Sequence, residues 1–221
     1  MKSEVILTAD GSRTLFIPGL NESYHSRNGA LTESMHIFIN AGYHYVSAGK
    51  DSLNILEVGL GTGLNALLTL IEAERDKKHI NYLGVEPNRV ESDKLEQLGY
   101  PELHSMPKAQ DYFNKIHKTS SAEHITNNFT LTICSDKFED INLDNSFFDL
   151  VYFDAFAPAV CPELWQPDIF LKISAFMKTG GVLVTYSCKG DVRRALQAAG
   201  LKVEKLPGPP GKREFLRTVK V

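Results

Sequence analysis

Three glycines, each separated from the next by one residue, follow the first strongly apolar segment of the chain and could hold a nucleotide-like cofactor. The segment Asn54-Ile-Leu-Glu-Val-Gly-Leu-Gly-Thr-Gly-Leu-Asn65 predicts a strand, a tight turn and the start of a helix. Glycine permits positive φ and a closer ligand approach than a Cβ would allow, and the unpaired N–H groups of the new helix point at the turn. The dinucleotide fingerprint is G-x-G-x-x-G, whereas here the third glycine comes one residue early and an acid precedes the turn. This form favours S-adenosylmethionine, and the predicted cofactor contacts are Glu57, Gly59, Gly61, Gly63 and Asn65.

Acidic residues also follow the next two predicted strands. Glu86 ends the strand that begins at Asn81, and Asp136 comes two residues after Cys134. In an open α/β sheet, ligands bind outside the carboxyl ends of the strands. We therefore expect Glu86 to accept hydrogen bonds from the ribose hydroxyls. Asp136 could accept one from the adenine amino group, or equally cap a following turn.

Asp154 ends the fourth predicted strand and would lie beside the methyl-donor pocket. Methyl transfer from a sulfonium needs mainly good positioning, and a nitrogen acceptor must first be neutral. The Asp154 carboxylate could accept the proton of an ammonium or only orient the amine, and the sequence does not separate these roles. A helix-capping aspartate is the structural alternative. Phe156 and Trp165 are candidates to stack on a planar base, and either could instead be a core residue.

Apolar strands alternating with amphipathic helices predict the sheet that positions these residues. The last two strands are joined by a turn over 206–212 that is too short for a parallel crossover, so they must pair antiparallel. The fold class is therefore α/β, a Rossmann-like, doubly wound, seven-stranded sheet with an antiparallel last strand, as in class I methyltransferases. The predicted strands are 53–58, 80–85, 129–134, 148–153, 181–186, 201–206 and 213–219, and the predicted helices are 64–75, 88–98, 168–177 and 190–199.

Residues 1–50 are predicted to form an N-terminal extension packed over one edge of the core, and residues 51–221 the methyltransferase domain. Asp10-Gly11 is a strong hairpin signal between two short apolar segments over 4–17. A loop over 18–29 and a helix over 31–48 follow, with Thr32 as its expected cap. The sequence gives no prediction for the fold of 99–128.

The composition is that of an ordinary soluble protein, with 43% apolar and 23% charged residues. No apolar run approaches the roughly 20 residues of a membrane span, and no signal peptide is recognisable. We therefore expect a cytoplasmic protein without membrane association. The three cysteines and seven histidines show no metal-ligand spacing, so no metal is predicted.

The charge is distributed unevenly along the chain. Residues 172–221 hold eleven Lys and Arg against three acidic residues, a net charge of +8, which leaves −11 for residues 1–171 because the whole chain carries −3. A cationic face of this kind attracts a polyanion if the basic residues meet beside the pocket. The alternative is that these charges scatter over the folded surface.

Four further motifs are distinctive, namely Asp154-Ala-Phe-Ala-Pro-Ala-x-x-Pro-Glu-Leu-Trp165, Thr185-Tyr-Ser-x-x-Gly-x-Val-Arg-Arg-x-Leu196, Tyr24-x-Ser-x-x-Gly29-Ala-Leu-x-Glu33 and Gly211-Lys-Arg-Glu214. Together they resemble the methyltransferase half of the tRNA 5-methylaminomethyl-2-thiouridine biosynthesis bifunctional protein family. The resemblance implies S-adenosylmethionine-dependent N-methylation of the aminomethyl group at carbon 5 of the wobble uridine in tRNA. It implies substrate or tRNA contacts at Tyr24, Ser26, Phe156, Pro158, Tyr186, Lys189, Arg193, Arg194, Lys212 and Arg213, of which the basic residues would hold phosphates of the anticodon arm.

The sequence departs from that family at two points. It has no second Rossmann signature for the flavin-dependent oxidoreductase half, so no flavin is expected and the chain resembles a free-standing version. Such a version depends on other enzymes to install the aminomethyl group. The segment Gly208-Pro-Pro-Gly211 also replaces the family's more usual Gly-Phe-Gly-Arg before Lys-Arg-Glu.

Three other functions are compatible with these motifs. An aminopropyltransferase that makes polyamines, or another small-molecule N-methyltransferase, shares the fold and an Asp-led loop after the fourth strand. A non-catalytic RNA-binding module is the third. The basic C-terminal segment favours a polyanionic substrate over a small cation, and the intact acids argue against lost catalysis. Which tRNAs are used, whether 2-thiolation is required and the oligomeric state are not determined by the sequence.

Overall fold

The chain forms a central mixed sheet with helices on both faces and a small second sheet near the N-terminus. The computed structural model describes residues 2–103 and 106–221. The strands are β1 Glu4–Leu7, β2 Arg13–Ile17, β3 Glu22–Ser23, β4 Ser52–Val58, β5 His79–Val85, β6 Glu123–His124, β7 Phe129–Cys134, β8 Phe148–Phe153, β9 Met177–Thr185, β10 Leu201–Pro207 and β11 Glu214–Lys220. The α-helices are α1 Ala30–Ser34, α2 Tyr45–Ser47, α3 Leu64–Asp76, α4 Ser92–Leu98, α5 Ala109–Lys118, α6 Pro167–Phe176 and α7 Gly190–Ala198. A π-helix, Met35–His44, joins α1 to α2, and short 3₁₀ helices lie at Tyr100–Leu103 and Pro162–Trp165.

The central sheet confirms the predicted topology. Its strand order is β10-β11-β9-β8-β4-β5-β7-β6, with β9, β8, β4, β5 and β7 parallel. The terminal strand β11 runs antiparallel to both neighbours, β9 and β10. The two-residue strand β6, at the edge beside β7, adds an eighth strand to the seven expected.

The strand sequences explain why the sheet is covered on both faces. Leu53 and Ile55 of β4 enter one apolar cluster with α3, α5 and the helical run over 30–47. Leu56 and Val58 of the same strand enter a second cluster with α6 and α7. Strand β8 is buried along its whole length, as expected for a mainly apolar central parallel strand, and its one charged residue, Asp149, pairs with Lys50 and Lys178. The sheet therefore presents its carboxyl ends, rather than a face, to solvent and ligands.

The hairpin of β1 and β2 caps the first helix of the chain. The Thr32 N–H donates to Asp10 Oδ2 over 2.8 Å, and the N–H groups of Ala30 and Leu31 donate to Ser12 Oγ over 3.1 and 3.2 Å. The expectation that Thr32 caps this helix is wrong, since helix α1 already begins at Ala30 and the capping oxygens come from the hairpin. These contacts fix the N-terminal sheet relative to the helix.

The helical run over 30–47 lies across the middle of the central sheet. Gly42 packs so closely that a Cβ there would lie 3.0 Å from Tyr152 Cε1 and 3.2 Å from Val184 Cγ2. The rings of Phe38 and Tyr152 have centroids 5.3 Å apart. The expectation that this segment covers one edge is therefore wrong, because its apolar face meets β8 and β9. A domain boundary near residue 50 stays a prediction.

The remaining differences from the sequence prediction concern segment ends and one insert. Helix α4 begins at Ser92 rather than at 88, and α6 ends at Phe176 where β9 begins. The segment 99–128, left open by the sequence, contains α5 and β6. Within the described ranges, the helices include none with the length and apolar character needed to cross a bilayer.

Candidate active site

A cavity of about 940 Å³ opens at the carboxyl ends of β4, β5, β8 and β9. This is the location predicted for ligands in an open α/β sheet, and the volume lies in the range of small-molecule sites. Three parts of the chain that are distant in sequence line it. They are the N-terminal residues Tyr24, Ser26 and Glu33, the strand-end residues Gly59, Gly61, Glu86, Asp154, Phe156 and Tyr186, and Lys212 of the terminal hairpin.

The glycine turn after β4 is closely packed against other parts of the protein. Gly59, Gly61 and Gly63 have φ values of 91°, 51° and 72°. A Cβ on Gly59 would lie 2.7 Å from the Asp154 carbonyl oxygen, so this glycine lets the turn touch the end of β8. Gly59 and Gly61 line the cavity, whereas Gly63 faces α5, where a Cβ would lie 3.1 Å from the His117 ring. Packing against the protein therefore requires these glycines even before a ligand is considered.

Glu86 lies where the strand-end argument placed it. Its Oε2 accepts a 2.8 Å hydrogen bond from the Gly61 N–H, and its Oε1 accepts one of 2.9 Å from the Asn88 N–H. Burial raises the pKa of Glu86, while these two backbone donors lower it. The carboxylate is thus tied to the glycine turn and faces the cavity.

Glu57 is fully buried behind the glycine turn. Its Oε1 accepts a 2.9 Å hydrogen bond from Asn65 Nδ2, and its Oε2 accepts one of 2.7 Å from the Tyr82 hydroxyl. Burial raises the pKa of Glu57 to about 8, although both hydrogen bonds oppose the shift. Asn65 Nδ2 also donates to Asp154 Oδ2 over 2.8 Å. One amide group therefore joins two acids, and only Asp154 faces the cavity.

The surroundings of Asp154 disfavour its charged form, which makes it more basic than an ordinary carboxylate. Burial raises its pKa well above the ordinary value, and the negative charges of Glu33 and Glu57 raise it further. The hydrogen bond from Asn65 and the positive charge of Lys212 oppose this shift. The backbone N–H of Asp154 donates to the Val58 carbonyl over 2.9 Å, which fixes the strand end. A carboxylate of raised pKa next to a cavity can accept a proton from a bound cation.

Aromatic side chains also line the cavity, and one of them, Tyr24, packs against Gly61 of the glycine turn. The rings of Tyr24 and Phe156 meet edge to face with centroids 4.9 Å apart. The Tyr186 hydroxyl donates to the Ala155 carbonyl over 2.9 Å, and Lys212 Nζ lies 4.2 Å from the centroid of the Tyr186 ring. Burial raises the pKa of Tyr24 to about 12. These rings are therefore neutral surfaces suited to a planar or cationic ligand.

Glu33 is a cavity residue to which the sequence assigned no chemistry. Its Oε2 accepts a 2.8 Å hydrogen bond from the Ser26 N–H, and its Oε1 pairs with the ammonium of Lys212. Glu33 ends the N-terminal motif that begins at Tyr24, and its place in that motif was the sequence signal that could have marked it as a site residue. Its partner is 179 residues away in the chain, so periodicity and spacing do not reveal the pair.

Other predicted residues lie away from the cavity lining. Asp136 is exposed at the end of β7, Pro158 is partly buried in the loop after β8, and Lys189 and Arg213 are exposed. Arg194 pairs with Asp191, and Arg193 Nε is buried without a hydrogen-bond partner among the described residues. Of the five basic residues predicted to bind tRNA, the structure brings Lys212 into the cavity.

Two further residues are explained by packing. Trp165 Nε1 donates to the Phe156 carbonyl over 2.8 Å, and its ring meets Phe153 at 4.9 Å, so Trp165 is a core residue rather than a stacking surface. Cys161 donates to the same carbonyl over 2.9 Å, and burial raises its pKa to about 11. Across residues 2–103 and 106–221, no group of three or more His, Cys, Asp or Glu could hold a metal ion.

Comparison with known proteins gives consistent matches. The model of a family described as S-adenosyl-L-methionine-dependent methyltransferase matches residues 101–221. The tRNA 5-methylaminomethyl-2-thiouridine biosynthesis bifunctional protein MnmC of Aromatoleum aromaticum is 32% identical over 203 residues, covering 88% of this chain and 32% of the relative. The protein of the same name from Cupriavidus metallidurans is 29% identical, covering 96% and 33%. The chain thus spans about a third of the length of these relatives.

Two solved structures share the fold over nearly the whole chain. MNMC2 from Aquifex aeolicus aligns with a TM-score of 0.79 at 24% identity, covering 99% of this chain and 70% of that one. A spermidine synthase in complex with the transition state analogue AdoDATO aligns with a TM-score of 0.54 at 12% identity, covering 99% and 72%. At these identities the likeness establishes the fold alone.

Proposed function

The chain belongs to the family of S-adenosyl-L-methionine-dependent methyltransferases whose model it matches, and from that premise we propose that it methylates the aminomethyl group at carbon 5 of the wobble uridine in tRNA. The printed names of the relatives concern the biosynthesis of 5-methylaminomethyl-2-thiouridine in tRNA. The observation that carries the proposal is Asp154, a carboxyl group of raised pKa at the end of β8, beside the glycine turn and facing the cavity.

The residues around the turn fit the cofactor. Gly59 and Gly61 line the cavity and would border its methionine part, and Glu86 would accept hydrogen bonds from the ribose hydroxyls. Asp136 directly precedes Lys137, which lines the cavity, and we retain Asp136 as the adenine contact on that basis. When bound, the cofactor supplies a methyl group on a sulfonium, which the acceptor nitrogen takes as the carbon–sulfur bond breaks.

Asp154 would prepare the acceptor amine. An alkylammonium has a pKa of about 10.4 by analogy with lysine, so a proton must leave its nitrogen before the lone pair can react. Asp154 would accept that proton, and its raised pKa brings its basicity closer to that of the amine. Because Asn65 holds Asp154 Oδ2, the other carboxylate oxygen remains available to the amine. Most of the rate would come from holding the two reactants in line.

Glu57 and Asn65 would act by positioning. Glu57 lies behind the turn and orients the Asn65 amide, which in turn orients Asp154. Both residues would therefore act indirectly, through Asp154, rather than contact the cofactor directly as the motif predicted. A catalytic group depends on such supporting hydrogen bonds to keep its productive geometry.

The proposal includes the partners of the reaction. The acceptor is the anticodon arm of a tRNA, whose phosphates would meet Lys189, Arg193, Arg194 and Arg213. Other enzymes would install the aminomethyl group, and the reaction would take place in the cytoplasm. Residues 1–50 would serve as an extension that completes the acceptor side of domain 51–221, consistent with the placement of Tyr24, Ser26 and Glu33.

An aminopropyltransferase is the second candidate. The acids Glu33 and Asp154 on the acceptor side would also suit a small polyamine cation, and the fold aligns with a spermidine synthase. That enzyme would transfer an aminopropyl group from decarboxylated S-adenosylmethionine to a diamine. The two candidates differ in donor as well as in acceptor, so one assay separates them.

The test measures transfer of a radiolabelled methyl group to tRNA. We expect labelling of tRNA isolated from a strain that lacks this gene, and no labelling of tRNA from the parent strain, in which the site is already methylated. Mass spectrometry of the wobble nucleosides should show the aminomethyl form accumulating in the deletion strain. Unlabelled tRNA, together with product formation from putrescine and the decarboxylated donor, would replace the proposal with the second candidate.

A further inference from the structure

An ammonium group already occupies the acceptor side of the cavity. Lys212 Nζ pairs with the Glu33 carboxylate and lies 4.2 Å from the centroid of the Tyr186 ring. The Glu33 side chain is 8% exposed and that of Lys212 28% exposed, so this pair is more protected than an ordinary surface ion pair. A carboxylate together with the face of an aromatic ring is a recognised arrangement for binding a cation.

The two partners are held by separate parts of the fold. Glu33 is fixed on helix α1 and accepts a hydrogen bond from the Ser26 N–H. Lys212 lies in the turn between β10 and β11, where Gly211 has a φ of 84° and a Cβ would overlap the Asn28 side chain. The glycine at 211 therefore lets this turn sit directly on the N-terminal loop, and the ammonium reaches the cavity from the rim. The carboxylate belongs to the buried wall, whereas the lysine side chain is a long, movable group.

The acceptor of the proposed reaction would bring its own ammonium to this same location before it loses a proton to Asp154. Burial, then the charge of Glu33, raises the pKa of Asp154, and the charge of Lys212 lowers it, so these three charged groups share one electrostatic environment. Tyr186 lines the cavity beside them, and its hydroxyl donates a hydrogen bond to the carbonyl of Ala155, the residue after Asp154. A nearly buried carboxylate left without a cation is strongly unfavourable, which explains why a cation of the protein fills the position.

We propose that Glu33 and the Tyr186 ring form the subsite that binds the acceptor's ammonium, and that Lys212 is a displaceable internal occupant of it. This inference rests on the proposed function and deepens it, since it defines the acceptor as a primary alkylammonium attached to a planar group. On binding, the substrate ammonium replaces that of Lys212, so the charge beside Glu33 stays compensated as the substrate enters. The released lysine remains at the cavity mouth. A neutral acceptor, such as a hydroxymethyl analogue, would leave Glu33 uncompensated and is rejected on that ground.

The subsite can be tested without tRNA, with n-propylammonium chloride as the probe. Calorimetric titration of Lys212→Ala should show saturable binding at least tenfold tighter than in the unaltered protein, because a tethered ammonium competes at an effective concentration in about the millimolar range. The double variant Lys212→Ala with Glu33→Gln should not bind the probe. Lys202→Ala, which removes an exposed lysine of the same hairpin, should behave as the unaltered protein.

The inference is overturned if folded Lys212→Ala, verified by circular dichroism, does not bind n-propylammonium, or if 1-propanol binds equally well. If the alanine variant does not fold, Lys212→Met keeps the apolar stem of the side chain and is measured in its place. Because the titration involves no methyl transfer, its outcome is separate from that of the tRNA assay. Binding of the probe without tRNA methylation would reject the proposed function and leave the ammonium subsite standing. Methylation without probe binding would reject the subsite alone.

Discussion

At the scale of single residues, the site depends on a chain of buried polar contacts behind the cavity. Tyr82 donates to Glu57, and Asn65 donates both to Glu57 and to Asp154. These three groups do not line the cavity, yet they help to orient Asp154, which does. Buried networks of this kind are stabilising only while every member keeps its partner and its protonation state.

The variant Glu57→Gln should lose less free energy of unfolding than the parent protein as the pH rises. The pKa of Glu57 is raised to about 8 in the folded protein from an ordinary value of 4.5, so between these values the folded state binds the proton that the unfolded state has lost. The free energy of unfolding contributed by Glu57 is therefore fully present below pH 4.5 and declines up to about pH 8. Urea denaturation of both proteins at pH 5 and pH 8 measures this. An equal decline in the variant would show that Glu57 titrates normally.

Asp154→Asn should lower the methyl-transfer rate by about 10²- to 10⁴-fold, which is the usual contribution of a positioned acid or base. Affinity for S-adenosylmethionine should change little, because the exchange keeps the size of the side chain. Single-turnover transfer and calorimetry give the two quantities. Asp144→Asn, at an exposed position outside the cavity, is the matched control. A variant that retains near-normal turnover would remove Asp154 from its proposed role.

At the scale of secondary-structure elements, the alternating apolar pattern predicted the central strands and helices well. Strands β7 and β8 have the predicted bounds, because each is a short segment dominated by apolar, aromatic and β-branched residues, as strands are. The rule that ligands bind at strand ends placed Glu86 and Asp154 in the cavity. The pattern does not report which distant elements touch, so the Glu33–Lys212 pair and the contact of His117 with Gly63 were not predictable.

The start of helix α1 shows the same limit. Capping rules consider residues next to the helix, and they favoured Thr32. The oxygens that satisfy the first N–H groups belong to Asp10 and Ser12, in a hairpin about 20 residues earlier. Burial alone would raise the pKa of Asp10, but hydrogen bonds from Ser12, Thr32 and Thr8 outweigh it and lower the pKa below the ordinary value. A hairpin side chain thus replaces the local cap.

Asp10→Ala should lower the free energy of unfolding by about 1–2 kcal/mol, the usual range for loss of a helix cap. The carboxylate accepts hydrogen bonds from the Ser12 N–H and hydroxyl and from the Thr32 N–H, so its removal loosens both the hairpin and the helix. Asp51→Ala, at an exposed position, serves as the control. Equal midpoints of chemical denaturation for Asp10→Ala and the parent protein would contradict this role.

At the scale of the whole molecule, several basic residues of the segment 172–221 are held in local contacts. Lys178 pairs with Asp149, Lys205 with Glu214 and Arg217 with Glu204. Lys220 donates to the backbone carbonyls of Ser174 and Met177. Glu204 and Glu214 are already counted in the net charge of +8 for residues 172–221, so the pairs that reduce this excess are Lys178 with Asp149 and Lys212 with Glu33. The cations left for a polyanion are mainly those near the ends of β9 and of the terminal hairpin.

The double variant Lys189→Ala with Arg213→Ala should weaken tRNA binding and flatten its salt dependence. Both side chains are exposed and enter none of the ion pairs found among the described residues. Each lost phosphate contact should reduce the slope of log K against log salt concentration by about 0.7–0.9. Filter binding from 50 to 200 mM salt measures the slope, with Lys205→Ala as a control. An unchanged slope would place the tRNA elsewhere on the surface.

The position of the helical run over 30–47 limits how acceptor recognition can be altered. One side of this segment holds Glu33 at the cavity, while another side, at Gly42, rests on Tyr152 and Val184 in the middle of the sheet. A chimaera that receives this segment from a relative would therefore inherit a foreign core surface together with a new acceptor wall. With the proposed acceptor wall, transplanting acceptor preference would require exchanging the matching residues of β8 and β9 at the same time.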